Sequence, residues 1–160
     1  MLFGAMSWSR QRDMEMFATR RRLEATLSNI IGQGRASVGS STLIIVKRST
    51  FNDNDLARIV DLQRQLAKTG SPIYFIALEG TKVNDVGINR LAEIDSLEHC
   101  FLGQTTISDV SMKALEKLPK LKTLDVHATR VTNQALLRLS KSRPGINLMP
   151  RPNPRPKNAP

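Results

Sequence analysis

Two histidines and two acids are the side chains of this chain best suited to acid–base or metal chemistry. They are His99, His127, Glu79 and Asp125. A histidine held by a carboxylate can act as a general base, and histidines grouped with acids can hold a metal ion. Either role needs the side chains to lie close to one another. Their spacing along the chain therefore has to be translated into positions on a fold.

The elements that would position these residues come from a repeat with a period of 24 residues. Thr81, Thr105 and Thr129 mark equivalent points in three successive copies. Apolar residues recur around them in fixed columns, which are Ile73, Leu97 and Leu121; Ile76, Cys100 and Leu124; Leu78, Leu102 and Val126; Val83, Ile107 and Val131; Ile88, Met112 and Leu136; Leu91, Leu115 and Leu139. A longer copy precedes them, with Ile44 and Val46 in strand positions. Self-similarity at a fixed period indicates units that stack.

Each copy of the repeat predicts a short strand, a turn and a helix. Apolar residues two positions apart, such as Cys100 and Leu102, place both side chains on the buried face of a strand. The threonine after the strand is expected to bond to neighbouring backbone. The helix caps are predicted at Asp85, Asp109 and Asn133. One unit cannot bury its own apolar face, so the strands are expected to stack as a parallel sheet.

The repeat resembles leucine-rich repeats of the short kind found in F-box-associated proteins and in many small bacterial repeat proteins. The resemblance covers about residues 41–150 and is best preserved in "VNDVGI" at 83–88. It implies an α/β leucine-rich-repeat solenoid arc of about four repeats. In such an arc, short parallel strands form the concave face and helices form the convex face.

The chain is predicted to have three regions. Residues 1–40 form an N-terminal amphipathic helix and a linker, 41–150 the leucine-rich-repeat domain, and 151–160 a basic Pro-rich tail. The helix is expected over residues 10–31, with an apolar stripe made of Met16, Leu23, Leu27 and Ile30. The segment "GQGRASVGSS" is predicted to be the linker. Alternate prolines in the tail favour polyproline II.

Positive charge is concentrated at the two ends of the chain. Residues 49–140 contain eleven basic and eleven acidic residues, whereas the whole chain has a net charge of +10. The basic residues predicted to dock onto a partner are Arg20, Arg21, Arg22, Arg151, Arg155 and Lys157. No apolar run approaches the roughly 20 residues needed to span a bilayer, and a single cysteine excludes an internal disulfide. An intracellular location, in the cytoplasm or an organelle matrix, is therefore expected rather than secretion.

The histidines and acids are predicted to share the concave face without forming an active site. The candidate partner-binding residues in the columns that face this surface are Phe75, Ala77, Glu79, His99, Phe101, Thr123, Asp125 and His127. Asp125 and His127 are expected to touch. Glu79 is placed two strands away from His127, roughly 10 Å at the backbone, and His99 is placed farther still. No catalytic residue, metal site or cofactor is therefore predicted.

These features favour a non-catalytic protein-interaction module, an adaptor or accessory subunit of a larger assembly. One alternative is an RNA- or ribonucleoprotein-associated subunit that docks through its basic termini. A third is a peripheral subunit of a membrane-bound complex, which reaches an anionic surface through the basic first helix. No small-molecule substrate is expected. The sequence leaves open whether the N-terminal helix or linker covers the apolar part of the concave face.

Overall fold

Five helices and six strands make up the part of the chain that the structure describes. This computed structural model covers the backbone of residues 3–150 and the side chains of residues 10–150. The helices are α1 (Phe3–Ile31), α2 (Asp53–Lys68), α3 (Asp85–Leu91), α4 (Asp109–Leu115) and α5 (Asn133–Ser142). The strands are β1 (Gly34–Val38), β2 (Thr42–Val46), β3 (Ile73–Ala77), β4 (His99–Phe101), β5 (Thr123–Asp125) and β6 (Asn147–Met149). The predicted α/β class is confirmed.

The six strands form one sheet in chain order, from β1 to β6. Strands β2 to β6 run parallel to one another. From β3 onward their register joins residues 24 positions apart, so that Phe75 lies beside His99 and His99 lies beside Thr123. The period of the sequence is therefore the step from one strand to the next.

The linker prediction is wrong for residues 34–38, which form the edge strand β1. β1 runs antiparallel to β2, with Gly34 opposite Val46. The backbone of Gly34 has a φ of 149° and lies so close to the carbonyl of Ile45 that a side chain would not fit there. Gly34 therefore allows the two strands to pair closely. Composition alone cannot distinguish a glycine in this role from a glycine in a flexible linker.

The core lies between one face of the sheet and the helices. The central strand residues buried there are Ile44, Ile76, Cys100, Leu124 and Leu148. Helix residues from the apolar repeat columns, such as Ile88 and Leu115, belong to the same cluster. Because side chains alternate across a strand, the half-buried neighbours of the central residues form a second face of the sheet. We term it the open face; its half-buried strand residues are Leu43, Ile45, Phe75, Ala77, His99, Phe101, Thr123, Asp125 and Met149, Asn147 is its exposed residue on the last strand, and it continues past the strand ends at Glu79 and His127.

Helix α1 packs on the body of the protein through its second half. The residues buried against β1 and α2 are Leu23, Leu27, Ile30 and Ile31. Arg20 donates to the carbonyl oxygen of Thr69 (3.0 Å) at the end of α2. The predicted apolar stripe is wrong at Met16, which is 43% exposed, because residues 10–19 all stay exposed and only the second half of α1 packs on the core. The second half of α1 contacts β1 and α2 and its buried residues join the core, which places this half on the helix side of the sheet and not on the open face.

Three aspartates connect the successive helices from α2 to α5. Asp85, at the start of α3, accepts hydrogen bonds from the main-chain nitrogen (2.8 Å) and the hydroxyl (2.7 Å) of Ser108. It also accepts from the hydroxyl of Ser111. The equivalent main-chain bonds join Asn84 to Asp53 (3.0 Å) and Thr132 to Asp109 (2.7 Å). These carboxylates fix the start of each helix against its neighbour.

The predicted helix caps are wrong by one residue. The observed N-caps are Asn84, Ser108 and Thr132, whose side chains accept hydrogen bonds from the first turn of their own helices. The predicted caps Asp85, Asp109 and Asn133 are the first helical residues. Both residues of each pair are good caps, and in the first two pairs the second residue instead bonds to the next helix. The predicted threonine bonds are confirmed, because the hydroxyls of Thr81, Thr105 and Thr129 donate to the carbonyl oxygens of Leu78, Leu102 and Val126.

The Asp85 carboxylate is expected to make folding sensitive to acid. Burial alone raises the pKa of Asp85, but the hydrogen bonds from Ser111 and Ser108 outweigh it and hold the pKa below its ordinary value. A depressed folded-state pKa gives stability that is present above the unfolded pKa of about 3.9 and is lost as the pH falls through the folded value. We expect Asp85→Asn to lower the free energy of unfolding by about 1–3 kcal/mol at pH 7. That difference should shrink below about pH 4.

Urea denaturation at several pH values measures this effect. Asp95→Asn is the matched control, because Asp95 is exposed. A loss of stability at Asp85 that equals the loss at Asp95 would contradict the inter-helix role of the carboxylate.

Candidate functional site

The apolar part of the open face is formed by aromatic rings on β3 and β4. The rings of Phe75 and Phe101 lie 5.2 Å apart between centroids, at an angle of 31°. The ring of His99 lies 6.1 Å from that of Phe75 and 6.3 Å from that of Tyr74. The strand register places Ala77 beside Phe101. These side chains form a continuous, half-buried surface in the middle of the sheet.

The polar part of the open face centres on His127, which follows β5. Its Nδ1 lies 2.9 Å from Oδ1 of Asp125, and the same oxygen accepts from the main-chain nitrogen of His127 (2.9 Å). Its Nε2 lies 3.2 Å from Oε1 of Glu79. The amide nitrogen of Gln104 lies 3.5 Å from this Nε2. The imidazole is thus held between two carboxylates.

The prediction that Glu79 lies too far from His127 is wrong. The residue between them is Gly103, which follows the intervening strand β4, and a Cβ at this position would overlap the ring of His127. Two strand spacings of about 4.8 Å each separate the backbones. Without a side chain in the middle, the two side chains span that distance. Gly103 is the signal in the sequence from which this contact could have been predicted.

The two parts of the face contain all the predicted surface residues. Thr123 on β5 lies beside His99 and separates the aromatic part from Asn147 at the last strand. The structure adds three residues that were not among the predicted site residues, namely Gln104, Gly103 and Lys47. The face therefore combines aromatic rings with a cluster of charged groups at one end.

A shallow cleft of about 330 Å³ opens beside Glu79. Its lining residues are Ile45, Val46, Lys47, Ala77, Glu79, Gly80 and Gln104. The cleft therefore brings one cation, one carboxylate and one amide to the edge of an apolar floor. A larger cavity of about 500 Å³ lies beside α1, between Met16 and Thr69, away from the open face.

The two carboxylates are expected to keep His127 protonated above its usual pH range. The hydrogen bond to Asp125 raises the pKa of His127 above 6.5, partial burial opposes this, and the charges of Asp125 and Glu79 add to it. A raised folded-state pKa gives stability that is fully present below the unfolded pKa and is lost as the pH rises through the folded value. Proton NMR titration of the ring should give a midpoint above 6.5. Asp125→Asn should lower this midpoint more than Glu79→Gln does, and a midpoint unaffected by either change would contradict the cluster.

The surroundings of His127 favour an imidazole ring that carries a positive charge. Both ring nitrogens of His127 face carboxylates, which favours the doubly protonated ring. In this state His127 carries a proton instead of accepting one, whereas a general base needs the neutral ring. Cys100 is fully buried, and burial raises the pKa of its thiol far above the ordinary value, which disfavours the reactive thiolate.

Within the described part of the chain, no group of three or more His, Cys, Asp or Glu side chains is arranged to hold a metal ion. Comparisons with protein-family models and with curated proteins find no match to this chain.

The basic residues of α1 have different environments. Arg20 is held by the end of α2, whereas Arg21 lies over the ring of Phe17, 5.1 Å from its centroid. Arg22 is exposed. The other basic candidates, Arg151, Arg155 and Lys157, lie outside the described residues. No helix of residues 3–150, α1 included, is both long and apolar enough to cross a membrane.

Proposed function

We propose that the chain is a leucine-rich-repeat protein that binds a protein partner on the open face of its sheet and has no catalytic activity. The observation that carries the proposal is the aromatic surface formed by Phe75, His99 and Phe101, which lies on the face opposite the helices. Aromatic side chains that are partly exposed and adjacent to one another are typical anchors of protein interfaces. An adaptor or accessory subunit of a larger assembly is the role that fits such a surface.

Two further observations support this proposal. The parallel strands follow one another with the period of the sequence repeat, as expected for a leucine-rich-repeat arc. Both nitrogens of His127 are engaged by carboxylates, which favours a binding role for this residue over a general-base role. The open face therefore supports recognition by contact.

Docking to RNA through the basic termini is the second candidate. It is supported by the exposure of Arg21 and Arg22 on α1 and by the neutral charge of the middle of the chain. Docking to an anionic membrane surface draws on the same helix, where Met14 and Phe17 are exposed beside these arginines.

Affinity capture by the full chain, with and without nuclease, separates these candidates. A protein-binding module keeps its captured protein after nuclease treatment and loses it when Phe101 is changed to Ser. An RNA-docking subunit loses its captured material on nuclease treatment and when Arg21 and Arg22 are both changed to Gln. Capture of membrane vesicles that depends on anionic lipid and on the same arginines would favour the membrane surface.

A further inference from the structure

Glu79 is the more accessible of the two carboxylates at the polar end of the open face. Its side chain is 50% exposed, whereas that of Asp125 is 13% exposed. One oxygen of Glu79 faces the His127 ring, and the carboxylate also lines the cleft with Ile45 and Ala77. Glu79 can therefore pair with a cation that arrives from outside while Asp125 stays bonded to His127.

Phe101 is the aromatic residue of the open face that the strand register places nearest to Glu79. Phe101 is the register partner of Ala77, and Glu79 follows Ala77 by two residues. The backbones of Phe101 and Glu79 are therefore offset by one strand and one pleat, about 8 Å in total. A planar cation between them can stack on the ring and reach the carboxylate at the same time.

We infer that the open face binds a protein segment that places an arginine between the ring of Phe101 and the carboxylate of Glu79, with an apolar residue of the same segment on Phe75. The guanidinium group is planar, stacks on aromatic faces and pairs with a carboxylate through two hydrogen bonds. Lys47 lies on the cleft wall beyond Glu79, so repulsion directs the arginine toward Phe101. This inference rests on the proposed function and specifies the chemistry of the partner.

The arginine would compete with His127 for Glu79. The charged groups that face His127 are Asp125, at the end of the preceding strand β5, and Glu79 after β3, and Gln104 after β4 adds an uncharged amide. A second cation on Glu79 disfavours the protonated ring, so binding releases a proton from His127. The affinity should therefore rise as the pH rises through the titration of His127.

Selection of random 12-residue peptides displayed on phage, against the full chain at pH 8, tests this inference. We expect the selected peptides to contain an arginine close to an aromatic or aliphatic residue. Synthetic copies should bind about tenfold more weakly when the arginine is replaced by citrulline, and also when Glu79 is changed to Gln. The matched control Glu116→Gln, an exposed residue on the helix side, should leave the affinity unchanged. Binding should be about fivefold weaker at pH 6 than at pH 8, and His127→Gln should remove this difference.

Other outcomes overturn the inference in distinguishable ways. Peptides that depend on Phe101 but not on an arginine or on Glu79 would overturn the inference and leave the proposed function standing. Peptides that bind independently of Phe101, or a selection that yields no peptide, would count against both. If selection succeeds only after residues 151–160 are deleted, the chain's own basic tail occupies the open face. That result would overturn the inference that a separate protein segment binds there.

Discussion

Leu102→Ala is expected to lower the free energy of unfolding by about 2–5 kcal/mol. Leu102 follows β4 directly, is fully buried and belongs to the core between the sheet and the helices. Truncation at this position leaves a cavity, because protein interiors are close-packed and relax only partly around a missing side chain. A domain of this size has a total stability of about 5–15 kcal/mol, so the loss is a large share of it.

The matched control for this change is Val110→Ala. Val110 is also apolar, but it lies on α4 with 58% of its surface exposed, so its truncation should change the free energy of unfolding by less than about 0.5 kcal/mol. Lys113→Ala on the same helix should be equally mild. Urea denaturation measures all three variants. Equal losses at Leu102 and Val110 would contradict the assignment of the repeat columns to the core.

The core and the order of the strands could be predicted from the sequence because the same columns recur in successive copies. Ile76, Cys100 and Leu124 occupy the same repeat column, and all three are fully buried on neighbouring strands. One column observed once is ambiguous between strand and helix. Because three copies have the same spacing, a stack of repeat units is the arrangement that buries every apolar column.

Strand β1 and the helix caps could not be predicted because the repeat does not determine them. The segment at 34–38 occurs once, and its single glycine is equally typical of a linker and of close strand pairing. Asn84 and Asp85 are both good N-cap residues, so local propensity cannot choose between them. Asn84 is the cap because Asp85 accepts a hydrogen bond from Ser108 at the start of the next helix. Local sequence does not reveal this tertiary contact.

The aromatic part of the site could be predicted more completely than its charged part. Phe75 and Phe101 lie on the open face because alternation along a strand determines the direction of each side chain. The contact between Glu79 and His127 depends on side-chain reach across Gly103. A backbone distance of roughly 10 Å therefore separates residues whose side chains still meet.

Changing Phe75 and Phe101 together to Ser is expected to remove partner binding while leaving the fold intact. Buried aromatic anchors at interfaces contribute about 2 kcal/mol or more each, so their joint loss corresponds to about 1,000-fold in affinity. Both rings are only half-buried in the free protein and lie outside the core cluster. Their removal should therefore have little effect on the melting temperature. The matched control changes Val86 and Val110, exposed apolar residues on α3 and α4, to Ser.

The most direct measurement is the affinity of the purified captured partner for three proteins, measured by titration calorimetry. These are the wild-type protein, the double Phe75→Ser/Phe101→Ser variant and the Val86→Ser/Val110→Ser control. Thermal melting of each protein is recorded in parallel. Binding through the open face predicts that the Phe75→Ser/Phe101→Ser variant loses affinity by at least about 100-fold while it melts within a few degrees of wild type. The Val86→Ser/Val110→Ser control should bind like wild type. Unchanged affinity in the Phe75→Ser/Phe101→Ser variant, or a large fall in its melting temperature, would contradict the assignment of this face to partner binding.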